Sequence, residues 1–211
     1  MNVENITSKH PKLDLIIGCM FSGKTTELMN RIRKAHLIYS PSHVLVINHR
    51  NDTRYNDDAR VCSHDKQNVN AISVEHLNSI MTTYEFARAS MVFVDEGQFF
   101  SDLKDFALAA VEKHGKWVTV CGLDGDYQRN RFGQLIDLVR YADTVHKTTA
   151  LCLECKDGTP ALFSARIEPM VSSQNGDEAG DGKNGREQTV VGAQDKYIPV
   201  CRKHYLSRSR V

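Results

Sequence analysis

The sequence predicts an α/β fold in which helices flank a parallel sheet, followed by a small metal-binding domain. Two observations predict this arrangement. Over about the first 150 residues, short apolar runs alternate with amphipathic helical stretches, which is typical of a parallel sheet with helices on both faces. After that point the composition changes, and two close pairs of cysteine and histidine residues appear. We therefore expect one domain over residues 1–149 and a second over residues 150–211.

The apolar runs give the predicted strands in order. They are residues 13–17, 44–47, 71–74, 91–94, 117–121 and 145–148. A helix is predicted after the first strand because Leu28, Ile32 and Ala35 share one face, and a second over residues 102–114. Residues 48–70 are polar, so we expect a long functional loop or lid there.

The overall charge excludes some classes of function. The 211 residues include 27 basic and 26 acidic side chains, a net of +1, whereas binding to nucleic acid polymers needs a basic excess. No apolar run approaches the ~18 residues of a membrane span, and residues 1–12 lack the apolar core of a signal peptide. We therefore expect a cytoplasmic protein without polymer or membrane partners, in which cysteines are thiols or metal ligands.

A phosphate-binding motif lies between the first predicted strand and the first predicted helix. Residues 18–25 read GCMFSGKT and fit the pattern G-x-x-x-x-G-K-[ST]. In such a loop the backbone N–H groups bind phosphate oxygens, the lysine reaches the β- and γ-phosphates, and the threonine joins a Mg²⁺ shell. A chance match in another strand–turn–helix is the alternative. The predicted nucleotide-binding residues are Gly18, Cys19, Met20, Phe21, Ser22, Gly23, Lys24 and Thr25.

Two acidic residues, Asp95 and Glu96, follow the apolar run at residues 91–94. The carboxyl end of a parallel strand would place Asp95 beside the phosphate loop, where it can hold Mg²⁺ directly or through water. Glu96 can then accept a proton from an attacking hydroxyl, provided that it does not bind the metal. An exposed acidic turn is the alternative interpretation.

Two pairs of metal-ligand residues lie in the C-terminal part, Cys152-x-x-Cys155 and Cys201-x-x-His204. This spacing predicts one tetrahedral Zn²⁺ site, which would be structural because all four positions are filled. A redox dithiol at the first pair, or four unrelated residues, are the alternatives. The cysteines at positions 19, 62 and 121 have no such partners, so we expect them to pack as small hydrophobic side chains.

In combination, these motifs resemble those of the type II, or cytosolic, thymidine kinase family. The resemblance extends from about residue 12 to residue 205, and its segments occur in one order along the chain. They are residues 18–29, 52–55 (DTRY), 95–100 (DEGQFF), 122–129 (GLDGDYQR), 132–133, 195–197 (DKY) and the two ligand pairs. The resemblance implies a RecA-like P-loop NTPase fold with a zinc-binding domain that carries a lasso loop.

The same resemblance implies transfer of the γ-phosphoryl group of ATP to the 5′-hydroxyl of thymidine, in pyrimidine salvage for DNA synthesis. Its implied cofactors are ATP, Mg²⁺ and a structural Zn²⁺. Matched by position, Thr25 and Asp95 would support Mg²⁺, and Glu96 would be the general base. The further residues expected near the nucleotide are Asp52, Thr53, Arg54 and Gln98.

A nucleoside pocket is also implied by position. Its side-chain walls would be Met20, Phe99, Leu123 and Tyr127, with Tyr197 holding the sugar or base. In the family, the main chain of the lasso loop binds the pyrimidine. Selectivity then depends on pocket size around the 5-methyl group, so deoxyuridine is expected to be a weaker substrate. The lasso residues matched by position are Gln188, Thr189, Val190, Val191 and Gly192.

The chain departs from the family pattern at three places. Cys19 replaces a common proline, His204 replaces a common cysteine, and the polar stretch over residues 172–187 is longer, so we expect disorder there without ligand. The resemblance further implies a homotetramer and feedback inhibition by thymidine triphosphate. From the residues alone, two alternatives remain: another P-loop ATPase or GTPase with a structural zinc knuckle, and a non-enzymatic zinc-knuckle module.

Overall fold

The computed structural model describes residues 10–50, 60–62, 68–167 and 196–208. Its strands are β1 (Lys12–Gly18), β2 (Val44–His49), β3 (Arg60–Cys62), β4 (Asn68–Asn70), β5 (Ile72–Val74), β6 (Met91–Val94), β7 (Trp117–Leu123), β8 (Thr144–Thr148), β9 (Ala150–Leu151), β10 (Pro160–Ala161), β11 (Phe163–Arg166) and β12 (Tyr197–Val200). Its α-helices are α1 (Lys24–His36), α2 (Tyr84–Arg88), α3 (Leu103–Leu108) and α4 (Arg202–Arg208). None of the helices described here is long and apolar enough to cross a membrane.

Six strands form one sheet in the order β5-β2-β6-β7-β1-β8, and each neighbouring pair is parallel. Strand β7 separates β1 from β6, with Val120 level with Val94 on one side and Gly122 level with Ile17 on the other. Because these strands are parallel, the segments that follow β1 and β6 leave the sheet at the same carboxyl edge. The predicted α/β fold with a parallel sheet is confirmed.

Helices cover both faces of this sheet. On one face α1 buries Leu28, Met29 and Ile32 in a cluster with Ile16 and Phe93 of the sheet. On the opposite face α3 contributes Leu103, Phe106 and Ala107 to a second and larger apolar cluster. Side chains alternate between the two faces along a strand, so β1 supplies both clusters.

The helical segment predicted over residues 102–114 changes its winding. Helix α3 ends at Leu108, and the chain continues as a π-helical turn over Ala109–Lys113, where the His114 N–H donates to the Ala109 carbonyl at 3.1 Å. The apolar face is kept through this change, since Phe106 and Ala110 are both buried. Periodicity predicted the buried face correctly, but it could not distinguish an i→i−5 turn from an α-helical one.

Two predicted boundaries are wrong. The polar stretch at residues 48–70 is not wholly a loop, because β2 extends through Asn48 to His49 and an antiparallel pair, β3 with β4, lies inside it. Strand β7, predicted over residues 117–121, runs on to Leu123, level with Gly18. In both cases strand pairing across the sheet or the hairpin outweighs the local preference of polar residues and glycine for turns.

The remaining described residues, 150–167 and 196–208, form a small unit that we call the cysteine lobe. It contains two antiparallel pairs, β9 with β10 and β11 with β12, and ends in α4. Its small apolar cluster includes Ala161, Val200 and Tyr205, and it also takes in Cys19 from the loop that follows β1. The cysteine lobe is therefore packed directly against that loop.

Candidate active site

The phosphate loop, residues 18–25, joins β1 to α1. Gly18 lies so close to β8 that a Cβ at this position would be 2.5 Å from the Thr148 carbonyl oxygen, which explains the need for glycine. Lys24 begins α1 and is buried, and its Nζ donates a hydrogen bond to the Cys19 carbonyl at 2.7 Å. The Ser22 hydroxyl donates to the same carbonyl at 2.8 Å. The Cys19 carbonyl therefore accepts hydrogen bonds from two side chains of the loop, one of which is the Lys24 ammonium.

The acid pair, Asp95 and Glu96, follows β6 with only 3% and 6% of each residue exposed. The backbone N–H of Glu96 donates to Asp95 Oδ1 at 2.9 Å. Gln98 Nε2 donates to Glu96 Oε2, while Gln98 Oε1 accepts from the Leu123 N–H at 3.0 Å. One amide side chain therefore links the Glu96 carboxylate to the end of β7 and orients it.

Glu96 has a φ of 51°, in the left-handed region that side chains other than glycine rarely adopt. The other described non-glycine residues with positive φ are Phe21 in the phosphate loop, Arg129 in the turn after β7, and Lys156 beside Cys155. Phe21 and Glu96 lie in segments that the sequence singled out for chemistry, Arg129 lies in a segment matched by the resemblance, and Lys156 directly follows a predicted metal ligand. Unfavourable backbone conformations persist where surrounding contacts over-determine them, and they cluster at functional sites.

The phosphate loop and the acid pair meet around the buried thiol of Cys121, on the strand between them. Burial raises the pKa of Cys121 well above its usual value, the charges of Asp95 and Glu96 raise it further, and the ammonium of Lys24 lowers it. The charges of Lys24, Asp95 and Glu96 are therefore all close enough to influence the Cys121 thiol. Together they can bind a metal–phosphate complex and remove a proton from a nearby hydroxyl.

The predicted pocket residues make several separate sets of contacts in the structure. Tyr127 lies next to Tyr197, with ring centroids 5.9 Å apart, and the Arg166 guanidinium is 5.9 Å from the Tyr127 ring. Phe99 instead packs edge-to-face on Phe132 at 5.7 Å, and Leu123 is tied to the acid pair through Gln98. Met20 is held against the cysteine lobe by a hydrogen bond from its N–H to Ser164 Oγ at 3.0 Å.

The cysteine lobe brings the four predicted metal ligands together. The ligand atoms of Cys152, Cys155, Cys201 and His204 all lie within 4.8 Å of one another. His204 Nδ1 is 3.4 Å from the sulfur atoms of both Cys155 and Cys201. Three sulfurs and one imidazole nitrogen at this spacing are compatible with a structural Zn²⁺. The alternative of four unrelated residues is excluded by this geometry.

Further contacts around the cluster also fit a metal. Burial opposes ionisation of Cys152, but backbone N–H groups, that of Cys201 first among them, outweigh it and lower the pKa of this thiol to about 6. On the other side of the cluster, His204 Nε2 is 4.0 Å from Glu154 Oε2, and Arg208 Nε holds Glu154 Oε1 at 2.7 Å. A carboxylate behind a ligating histidine is typical of metal sites, because it orients the ring.

Several predicted site residues lie outside the described residues, so their positions stay predictions. They are Asp52, Thr53 and Arg54 near the nucleotide, and the lasso residues Gln188, Thr189, Val190, Val191 and Gly192. The predicted disorder over residues 172–187 also falls there, and the predicted packing of the Cys62 side chain stays a prediction as well. Cys19 and Cys121 are buried among apolar side chains, as predicted.

Sequence reasoning missed the residues that join the cysteine lobe to the other half. Ser164 accepts a hydrogen bond from the phosphate loop, and the Tyr205 hydroxyl donates to the Tyr127 carbonyl at 2.9 Å. Sequence reasoning also missed Thr148 of β8, outside the lobe, which contacts Ser22 at 2.8 Å between hydroxyl oxygens. A single serine or threonine in a short strand carries no motif. Of these residues, only Tyr205 could have been found from the sequence, because it directly follows the predicted ligand His204 and its position is fixed by the metal site.

Comparison with known proteins agrees with this geometry. A family model described as thymidine kinase matches residues 11–205. The rice thymidine kinase is 35% identical over 198 residues, covering 92% of this chain and 66% of that protein. Human cytosolic thymidine kinase is 35% identical over 198 residues (94% and 74% covered), and thymidine kinase 1 of Dictyostelium discoideum is 36% identical over 205 residues (96% and 81%). With the phosphate loop, acid pair and ligand cluster all inside the matched range, the chain belongs to the thymidine kinase family.

Proposed function

We propose that the protein transfers the γ-phosphoryl group of ATP to the 5′-hydroxyl of thymidine, and more weakly of deoxyuridine. The observation that carries this proposal is the placement of the phosphate loop with Lys24, after β1, and of Asp95 and Glu96, after β6, at the same carboxyl edge of the parallel sheet, on either side of β7. The match to the thymidine kinase family over residues 11–205 supports the choice of acceptor.

The nucleotide would bind to the phosphate loop, residues 18–25. Its backbone N–H groups would contact phosphate oxygens, assisted by the positive end of α1, while Lys24 neutralises charge on the transferring group. Thr25 and Asp95 would hold Mg²⁺, which would neutralise charge on the phosphates. Gln98 and the residues Asp52, Thr53 and Arg54 complete the proposed nucleotide site.

Glu96 would act as the general base for the 5′-hydroxyl. Its carboxylate is buried, and Gln98 orients it by a hydrogen bond to Oε2. A base held in this way need not reorganise during the reaction, so most of the barrier reduction comes from positioning and electrostatics. The proton of the 5′-hydroxyl passes to Glu96 as its oxygen attacks the γ-phosphorus and ADP leaves.

The nucleoside would lie between the sheet and the cysteine lobe. We propose Met20, Phe99, Leu123, Tyr127 and Tyr197 as its side-chain contacts, with the Tyr127 ring stacking on the base. Main-chain groups of residues 188–192 would bind the pyrimidine. The division into a nucleotide domain (1–149) and a substrate domain (150–211) held by structural Zn²⁺ belongs to the same proposal.

Three further properties are proposed from the resemblance rather than from the geometry. They are assembly as a homotetramer, feedback inhibition by thymidine triphosphate, and a place in cytoplasmic pyrimidine salvage. The human relative's name includes the word cytosolic, which supports the last of these.

An ADP-release assay tests the proposal. We expect Mg²⁺-dependent ADP release with thymidine and little without it. A thymidine that lacks the 5′-hydroxyl should bind and yet give no release, since it has no acceptor oxygen. Equal ADP release with and without thymidine would support the alternative, a P-loop ATPase with a zinc knuckle, and would overturn the proposal.

A further inference from the structure

The peptide unit between Cys19 and Met20 is held on both of its sides. Its carbonyl oxygen accepts hydrogen bonds from Lys24 Nζ at 2.7 Å and from the Ser22 hydroxyl at 2.8 Å. Its N–H, on Met20, donates to Ser164 Oγ at 3.0 Å. Ser164 lies on β11 in the cysteine lobe and is 7% exposed, so its hydroxyl is largely shielded from competing water.

The neighbouring residue makes a second contact with the same lobe. The Cys19 sulfur lies 3.4 Å from the Ala161 carbonyl oxygen, to which its S–H donates, and burial raises the pKa of this thiol. Cys19 also belongs to the apolar cluster that includes Cys152 and Cys201. Two consecutive loop residues therefore contact β10 and β11, which pair with β9 and β12, the strands that Cys152 and Cys201 directly follow.

External support matters here because the loop does not favour its own conformation. Phe21 has a φ of 62°, a conformation that costs a non-glycine residue free energy and persists only when contacts around it enforce it. The Ser164 hydroxyl fixes the plane of the preceding peptide, so the Cys19 carbonyl faces Lys24. Without that hydrogen bond the peptide plane can rotate, and the lysine loses its fixed acceptor.

We propose that Ser164 is a positioning residue for the phosphate loop, through which the metal-bound cysteine lobe contributes to nucleotide binding as well as nucleoside binding. It acts through the Cys19–Met20 peptide on Lys24 and does not touch the phosphates. The inference rests on the proposed function only in assigning ATP to the loop. Preorganisation of the loop lowers the entropy lost when the triphosphate binds.

The test measures binding of a non-hydrolysable Mg²⁺–ATP analogue by calorimetry, without thymidine. For Ser164→Ala we expect a Kd raised by about threefold to tenfold, the usual effect of one neutral hydrogen bond. Ser164→Thr keeps a hydroxyl and should stay within about twofold of the wild type on the same scale. Ser207→Ala is the matched control, since it removes an exposed hydroxyl of the same lobe that donates to the His204 carbonyl.

Zinc content and thermal unfolding of each variant separate positioning from damage to the lobe. The proposal predicts unchanged zinc, and a KM for ATP that rises more than kcat falls. It is overturned if Ser164→Ala binds the analogue as the wild type does, if Ser164→Thr fails to restore affinity, or if the affinity falls only together with zinc. If Ser164→Ala does not fold, the affinities of Ser164→Thr and Ser164→Val for the analogue are compared instead, because the two side chains have nearly the same shape and only threonine carries a hydroxyl.

Failure of the inference about Ser164 can be told apart from failure of the proposed function. A wild-type protein that binds the analogue but releases no thymidine-dependent ADP would contradict the proposed acceptor. The calorimetric comparison at Ser164 would still be decisive in that case, because it uses no acceptor and no turnover.

Discussion

The phosphate loop is held by two kinds of contact, those within the loop and those with the cysteine lobe, which differ in how far apart the contacting residues are in sequence. Inside the loop, the hydrogen bonds that Ser22 and Lys24 donate to Cys19 span three and five residues. The contacts that tie the loop to the cysteine lobe, from Met20 to Ser164 and from Cys19 to Ala161, span 144 and 142 residues. A local motif therefore builds the proposed nucleotide site, and contacts that are distant in sequence hold it against the cysteine lobe.

Loss of the proposed metal should be the largest perturbation, because it would unfold the lobe that contacts the phosphate loop through Ser164 and Ala161. Cys152→Ser deletes a buried ligand, and since structural zinc contributes directly to folding, we expect loss of zinc and of thymidine phosphorylation. His204→Cys is the matched control, because four sulfurs also hold Zn²⁺ tetrahedrally. Elemental analysis with activity assays checks both variants, and pure, active protein without zinc would contradict a structural role.

Substitution of the proposed general base, Glu96, should affect the phosphoryl transfer while leaving both regions folded. Glu96→Gln keeps the shape and removes the proton acceptor, so we expect kcat to fall by about 100- to 10,000-fold with little change in nucleotide affinity. Gln98→Glu would place a second carboxylate against Glu96 and should also lower kcat, although less steeply. Near-normal turnover of Glu96→Gln, measured by steady-state kinetics, would remove Glu96 from this role.

A smaller effect is expected where the cysteine lobe contacts the turn after β7. The Tyr205 hydroxyl donates to the Tyr127 carbonyl at 2.9 Å, so it fixes the backbone beneath the proposed stacking ring. Tyr205→Phe should raise the KM for thymidine about threefold to tenfold. The KM for ATP should not change, which is the reverse of the pattern expected for Ser164→Ala. A matched variant, Tyr84→Phe, alters an exposed hydroxyl on α2 and should leave both constants unchanged.

These two contacts also show what sequence could and could not predict. The alternation of apolar runs predicted the parallel sheet, and the motifs predicted that Lys24 and Asp95 share its carboxyl edge and that four ligands cluster. Ser164 could not be found, because a lone serine owes its role to a residue 144 positions away. The antiparallel strands of the cysteine lobe were missed as well, since strands of two to four residues are too short to show periodicity.

The smallest expected effect on activity concerns Lys116, which lies outside both regions and acts on stability. Lys116 is fully buried before β7, where desolvation lowers its pKa from 10.5 to about 8, and its Nζ donates to the Ala87 carbonyl. Below pH 8 Lys116 is charged in both states, so the folded protein must keep a buried charge. Between pH 8 and 10.5 Lys116 is protonated in the unfolded chain but neutral in the folded protein, so the free energy of unfolding rises with pH over this range.

Lys116→Met removes this titration. The variant should be more stable than the wild type near pH 7, with an advantage that declines by about 2–3 kcal/mol as the pH approaches 10.5. Thymidine phosphorylation should be unchanged. Denaturant unfolding across this pH range measures the difference, and a difference that is independent of pH would contradict the assigned titration.

The central claim is that both regions serve one phosphoryl transfer to a nucleoside. Phosphorus NMR of a reaction with Mg²⁺–ATP and thymidine tests it most directly, because it identifies where the phosphoryl group goes. The account predicts the growing resonance of a 5′-monophosphate ester of thymidine, equal in amount to the ADP formed. Growth of inorganic phosphate alone, with thymidine unmodified, would contradict it.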